Sequence, residues 1–393
     1  MQKISAPVVF DGCEPHPNGV LVLNDEGMVL DLLPAANADD DSVWRLPHGW
    51  LCPGFVNAHC HLELSHLKDR LPAGEGMVPF LKGVMYNRQA DTELVQYAMQ
   101  AAAEEMLGKG IVAVGDICNT ALSGPIKAQS PLYWHSFVEV TGFVPATAKQ
   151  RFDQAVATAA ALQQYQPASR ISLVPHAPYS VSARLFQLLQ HQPQTVVCMH
   201  SQESEAEEAF VTRKEGPLVQ LYEALGIDIS FFEPVGASSL RYCAHLLPKA
   251  KSTILVHNCT TTEADLRFLH KSYELIGGQY SFCLCPGANR YIGNPLPNVH
   301  MLLQHHAAIC LGTDSLASNT ELSILHEMQL LQQHYPDLPA AQLLKWATSG
   351  GAHALSIAQQ FGSFGKGMRP GVLWLEHVTA EGQLHHASVQ RLY

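Results

Sequence analysis

The first fifty residues place apolar positions in short bursts. Segments 4–10, 19–24 and 28–33 are strand-like, and Asn24-Asp25-Glu26-Gly27 supplies turn chemistry between the last two. No helix-length pattern occurs there, so a small β unit is expected. From Leu51 the texture changes. Apolar runs at 51–59, 111–117, 133–140, 171–175, 195–200, 253–257, 280–285 and 307–312 alternate with helical patterns such as 93–107, 152–164, 183–191, 262–273 and 299–305. These runs are continuously apolar rather than alternating, which suits parallel strands covered on both faces. Eight strand–helix units predict an α/β fold, a TIM-like (β/α)₈ barrel, with a doubly wound open sheet as the rival. Two further helices, 321–334 and 339–348, follow the eighth run. Glycines 362, 365, 367 and 371 then break the pattern, and 372–375 and 385–392 return to strand texture. The expected organisation is a barrel over 51–360 inserted into a small β-sandwich made from 1–50 and 361–393.

Composition narrows the class. Of 393 residues, 47% are hydrophobic and 15% charged, which sets the disordered class aside and fits a compact soluble protein. The net charge of −11 argues against broad binding to nucleic acid or anionic lipid. No apolar stretch has the length to span a bilayer, and residues 1–10 lack the basic and apolar regions of a secretory signal. The ten cysteines show no C-x-x-C pair, and Cys198, Cys283, Cys285 and Cys310 sit inside apolar runs. Reduced thiols and a cytoplasmic location are therefore expected.

The 21 histidines need reading by position. Pro53-Gly54-Phe55-Val56-Asn57-Ala58-His59-Cys60-His61 is an apolar strand ending in two histidines one residue apart. Residues i and i+2 of a strand point the same way, so both imidazoles can converge on one ion. The C-terminal end of a strand is also where barrel enzymes hold their sites. Later runs end alike: 196–200 in His200, 254–257 in His257 and 309–314 in Asp314. One such histidine is ordinarily a core or loop residue; four strands ending this way point to a metal site. Imidazole with carboxylate suits zinc or iron(II). Glu203 stands three residues past His200, a spacing that lets it overhang the metal. Read alone, it equally fits a solvated acidic run with Glu205, Glu207 and Glu208 at a helix start.

Together these residues resemble the amidohydrolase superfamily, in its branch of cytosine deaminase-like, adenosylhomocysteine deaminase-like and triazine chlorohydrolase-like enzymes. The resemblance spans nearly the whole chain. It rests on 53–61, His176-Ala177-Pro178-Tyr179-Ser180-Val181-Ser182, His200 with Glu203, 255–258, Cys285-Pro286-Gly287-Ala288-Asn289 and Gly312-Thr313-Asp314-Ser315. It implies one divalent metal, zinc or iron(II), bound by His59, His61, His200 and Asp314. It implies proton-handling roles for Glu203, His257 and Asp314, and places Glu63, His176 and Asn289 at the substrate. The fourth strand runs into His176 and carries no lysine that could bridge two metals, so a mononuclear site is expected. Segment 59–65 looks closest to aminofutalosine deaminase-like proteins. The Cys-Pro-Gly-Ala-Asn segment departs from the branch's usual Cys-Pro-x-Ser-Asn, which bears on substrate identity.

The resulting expectation is a metal-dependent hydrolase of non-peptide carbon–nitrogen bonds, deaminating an aminated nitrogen heterocycle of aminopurine type, aminofutalosine among the candidates. Ring opening or dechlorination on the same site is the alternative, and a non-catalytic small-molecule binder the reading from another class. The partner expected is a small molecule, with neither nucleic acid nor membrane, and a homodimer is expected by resemblance. His61-Leu62-Glu63 matches half of the other zinc deaminase signature, but its P-C-x-x-C half is absent. H-E-x-x-H, P-loop, G-x-S-x-G and dinucleotide signatures are absent as well.

Overall fold

The computed structural model describes residues 1–37, 41–192, 194–276, 278–379 and 381–393. Eight parallel strands form the barrel: β1 (Phe55–Cys60), β2 (Ile111–Cys118), β3 (Tyr133–Val140), β4 (Ile171–Pro175), β5 (Val196–Ser201), β6 (Ser252–His257), β7 (Gln279–Leu284) and β8 (Ile309–Leu311). β1 to β4 pair in order, as do β5 to β8. Two seams join the halves. At β4/β5 the His200 amide donates to the His176 carbonyl at 2.9 Å; at β8/β1 the Thr313 and Asp314 amides both donate to the His59 carbonyl at 3.1 Å. Both seams are made by candidate site residues, so the bonds that close the barrel also position the site.

Side chains two apart on the strands (Val56 and Ala58, Val196 and Cys198, Ile254 and Val256, Cys283 and Cys285) join one buried cluster with Leu355 and Ile357. A larger cluster includes Met99 and Met106 from the helix Thr92–Gly108, and Phe186 and Leu189 from Ala183–Gln190. Burial on both faces is why the strands read as unbroken apolar runs.

Both chain ends build the sandwich. One sheet holds Val29–Leu33, Val20–Leu23, Gln2–Ser5 and Val43–Arg45; the other orders Ser388–Arg391, Val372–Glu376, Trp50–Pro53, Val8–Phe10 and Pro15–Pro17. Ile4, Val9, Leu21, Leu51, Phe364 and Val372 fill the space between them. The run expected as one strand over 51–59 is thus two strands in different domains. The change comes at Gly54 rather than at the expected 50/51 boundary. A Cβ at Gly54 would stand 2.2 Å from Val112 Cγ1 and 2.6 Å from the Pro370 carbonyl, so only glycine lets the chain cross there.

The helix expected from 321 begins at Ile324, because Ser323 caps it by accepting from the His326 amide at 3.2 Å. The helices Glu205–Arg213, Pro217–Ala224 and Ser239–Ala244 between β5 and β6 are too short to show a period in sequence. Among the described residues no helix is long and apolar enough to cross a membrane.

Candidate metal centre and catalytic cavity

His200 continues the face of β5 that carries Val196 and Cys198, and Asp314 continues that of β8 through Gly312. His59 and His61 reach the same point because the β1/β2 register shifts between Asn57 and Cys60. Gly312 makes room for them: a Cβ there would lie 2.9 Å from the Cβ of His59. Asp314 holds φ at 56° and His257 at 77°, left-handed conformations that cost free energy in non-glycine residues and turn these side chains at the strand ends.

The structure brings His59, His61, His200 and Asp314 together, with donor atoms all within 4.8 Å of one another. His61 Nε2 lies 3.1 Å from His59 Nε2, 3.2 Å from His200 Nε2 and 3.1 Å from Asp314 Oδ1; His59 Nε2 is 3.5 Å from the same oxygen. Donors at these separations could all lie about 2.0–2.2 Å from one shared point, and a further position would be left for a water. Three imidazole nitrogens facing one point cannot all satisfy one another by hydrogen bonding, so the donor set fits a shared divalent cation. Outer partners fix the ligands: the His176 carbonyl faces His200 Nδ1 at 2.9 Å, Cys198 Sγ faces His59 Nδ1 at 3.4 Å, and Ser318 donates to Asp314 Oδ2 at 2.5 Å. Burial favours the neutral forms of His59 and His200, lowering both pKa values. It would raise that of Asp314, but the adjacent imidazoles outweigh it and keep the carboxylate ionised.

Glu203 and His257 meet beside this cluster, with His257 Nε2 3.6 Å from Glu203 Oε1. Burial, reinforced by Asp314 and Glu207, holds the Glu203 carboxyl well above its usual range. Burial also brings His257 down to about 4, so its imidazole is neutral at pH 7. His257 Nδ1 faces Asn289 Oδ1 at 2.9 Å. A donated Nδ1–H there leaves Nε2 with its lone pair toward Glu203.

The three residues expected at the substrate occupy different places. His176 lines the cavity in front of the cluster, its Nδ1 2.6 Å from Ser180 Oγ. Asn289 reaches the site through His257. Glu63 lines a polar cavity that shares Asn119, Glu139, Thr141 and Arg151 with the space in front of the cluster. Its carboxylate accepts from the Asn119 amide at 3.1 Å and from the Thr120 amide and hydroxyl at 3.0 and 2.8 Å. These bonds hold the loop after β2. Sequence reasoning missed Glu139, near the end of β3. It obeys the same strand-end rule, but Val140 and Thr141 follow it and hide the signal. Burial would raise its pKa, yet His176, His61 and Arg88 together hold it lowered.

A cavity of about 430 Å³ opens over His61, His200, Glu203, His257 and Asp314 and runs out between Phe80, Leu81, Val84, Phe143, Leu218 and Tyr222. Asn119, Glu139, Thr141 and Arg151 border both this space and an adjoining polar one. The chemistry available is therefore hydrolysis at the cluster, with an apolar chamber for the rest of the substrate.

A parallel barrel with three imidazoles and a carboxylate gathered at its mouth, beside a buried acid, has the build of a metal-dependent hydrolase. The chain belongs to the amidohydrolase family, whose model matches residues 50–372. It is 28% identical over 378 residues to an adenosine deaminase of Helicobacter pylori, covering 91% of this chain and 88% of that protein. It is 27% identical over 416 aligned positions to a 5-methylthioadenosine/S-adenosylhomocysteine deaminase of Halalkalibacterium halodurans, covering 99% and 86%. In fold it is similar to the aminofutalosine deaminase of Helicobacter pylori in complex with methylthio-coformycin, with a TM-score of 0.79, 23% identity and both chains fully covered. The atrazine chlorohydrolase of Arthrobacter aurescens complexed with zinc gives a TM-score of 0.73 at 15% identity, covering 99% and 92%. The chain is a hydrolase acting on carbon–nitrogen bonds other than peptide bonds.

Proposed function

We propose that this protein hydrolytically deaminates an aminated purine-type heterocycle, using one divalent cation held by His59, His61, His200 and Asp314. The observation that carries this is the meeting of the four donors with the Glu203–His257 pair at one cavity. Zinc suits the donor set and iron(II) is the second choice. When bound, such a cation supplies an acidified water and a Lewis acid. Asp314 and the free Nε2 of His257 orient that water and take up its proton. Glu203, whose surroundings favour the protonated carboxyl, would donate that proton to a ring nitrogen as the carbon is attacked. The proton held by Asp314 and His257 would go to the departing amine, and the hydroxyl proton left on the carbon's new oxygen would return to Glu203. Asn289 keeps His257 in the tautomer this requires. Relatives named as adenosine and 5-methylthioadenosine/S-adenosylhomocysteine deaminases support an aminopurine substrate. The ten unpaired cysteines support a reducing, cytoplasmic setting.

The test is ammonia release from a panel of aminopurines, their nucleosides, aminopyrimidines and chlorotriazines, with metal analysis of the same preparation. Glu203→Gln should retain one metal per chain while losing turnover by about 10²–10⁴-fold. Turnover unaffected by that change, or chloride release without ammonia release, would overturn the assignment.

A further inference from the structure

Glu139 has no task in the chemistry above, yet its placement is costly. Its side chain is 6% exposed. Oε2 accepts from Asn119 Nδ2 at 3.0 Å. Oε1 is buried with no hydrogen-bond partner among the described residues. A buried carboxylate oxygen without a donor carries a desolvation cost that a folded protein ordinarily avoids, and its position at a cavity wall calls for a ligand. The oxygen is also held ready. Glu63 fixes the Asn119–Thr120 loop, and Arg88 Nη2 donates to Asn119 Oδ1 at 2.9 Å, so the amide that grips Oε2 is itself fixed at both ends.

Oε1 lies 3.8 Å from His200 Nδ1, the edge of that ring opposite the cation-facing Nε2. The full imidazole of His200 therefore stands between Oε1 and the cation position, in addition to that 3.8 Å gap. That is too far to serve the carbon under attack, but within reach of what the heterocycle carries. A second cation between Glu139, His176 and His200 is disfavoured, because His200 Nδ1 is engaged with the His176 carbonyl and has no lone pair to lend. Charge bears on the ligand too. Arg88 and Arg151 border the same stretch, so both signs of charge are present there, and a neutral hydroxyl can donate to the open carboxylate oxygen without adding to either.

We propose that Glu139 is a specificity-determining residue whose free oxygen accepts a hydrogen bond from a hydroxyl on the substituent of the heterocycle, so that the site takes a sugar-bearing aminopurine rather than the bare base. The cavity agrees, since it continues past Glu139 to Phe143, Leu218 and Tyr222, leaving room for more than a base. This inference rests on the deaminase reading for its kinetic test, and a binding measurement keeps the two separable.

Metal-loaded full-length protein would be assayed with an aminopurine ribonucleoside, its 2′,3′-dideoxy analogue and the free base. Wild type should favour the ribonucleoside in kcat/KM by about 10–100-fold, the scale of a hydrogen bond to a charged acceptor. Glu139→Gln should lose about 10-fold or more on the ribonucleoside, mainly in KM, and stay within about 2-fold on the dideoxy analogue. Calorimetry with the unreactive purine ribonucleoside and its dideoxy form reads the same contact without turnover. Absent ammonia release would then sink the deaminase reading while Glu139 is still judged on binding. The proposal is overturned by equal losses on both nucleosides, by wild-type indifference to the hydroxyls, or by a second metal equivalent that disappears in Glu139→Gln.

Discussion

Replacing Lys127 by Met tests whether a buried charge pair supports the metal centre from behind. Lys127 and Asp116 are 1% and 0% exposed, with Nζ 2.6 Å from Asp116 Oδ2. The ammonium also donates to Ser136 Oγ at 2.7 Å and to Cys118 Sγ at 3.0 Å, so its three protons are all placed. Burial works against the charged ammonium, but Asp116 outweighs it and holds the Lys127 pKa up. Asp116 Oδ1 accepts from the Leu62 amide at 2.8 Å, directly after His61, one of the four clustered donors. Met fills similar volume but leaves the carboxylate uncompensated, at a cost of about 3–5 kcal/mol. Adding Asp116→Asn removes the stranded charge while keeping an acceptor for Leu62, so the double variant should recover about half of that loss. Urea unfolding at matched metal loading should show the single variant's midpoint lower by about 1 M. Metal affinity should fall about 10-fold, although Lys127 touches neither cavity nor ligand. A loss below about 1 kcal/mol, or a double variant no more stable than the single one, would refute the reasoning.

Three further outcomes follow from the same geometry. Burial raises Glu327 to about 8, where it accepts from the Gly287 amide and Asn319 Nδ2, both at 2.7 Å. Because this carboxyl ionises later in the folded than in the unfolded chain, its contribution is intact below about pH 4.5 and is lost as pH rises toward 8, by roughly 5 kcal/mol at most. Glu327→Gln should flatten that decline in denaturant titrations between pH 5 and 8; an unchanged slope refutes it. Chelation should abolish ammonia release and lower the melting temperature, with added metal restoring both in a concentration-dependent way; a melting point indifferent to metal would count against the four-donor site. Gly54→Ala should destabilise by more than about 1 kcal/mol through its clash with Val112 and Pro370, read by thermal unfolding; a neutral effect would show that the crossing between domains yields.

Where the fold and site could be read in sequence, they could be read for one physical reason. Parallel strands buried on both faces are unbroken apolar runs, and the first ionisable residue past such a run stands at the barrel mouth, buried there among other strand-end side chains. His200 illustrates this directly, since it continues the buried parity of Val196 and Cys198. The same logic placed eight strands and the cluster of His59, His61, His200 and Asp314. What escaped depends on contacts that no local pattern encodes. The break at Gly54 is set by Val112 and Pro370, far away along the chain. The bonds of Glu63 to the backbone amides of 119 and 120 likewise join residues far apart in the chain.

Glu139 shows how the two kinds of information combine. Its strand position is ordinary, and an apolar Val140 after it hides it from a rule that looks for the last residue of a run. Only the arrangement Glu63–loop–Asn119–Glu139 reveals that one of its oxygens is gripped and the other left open. The cluster itself is assembled at the barrel's two closing seams, where chain geometry is most constrained, because the His59 and His176 carbonyls that close the barrel belong to the site. The cavity away from the cluster, by contrast, is lined in part by side chains on a loop and a short helix, Asn119 and Tyr222 among them. It follows that substitutions able to change what this enzyme accepts while sparing its metal should concentrate around Glu139 and the Phe143–Tyr222 chamber, where the barrel's closure does not depend on them.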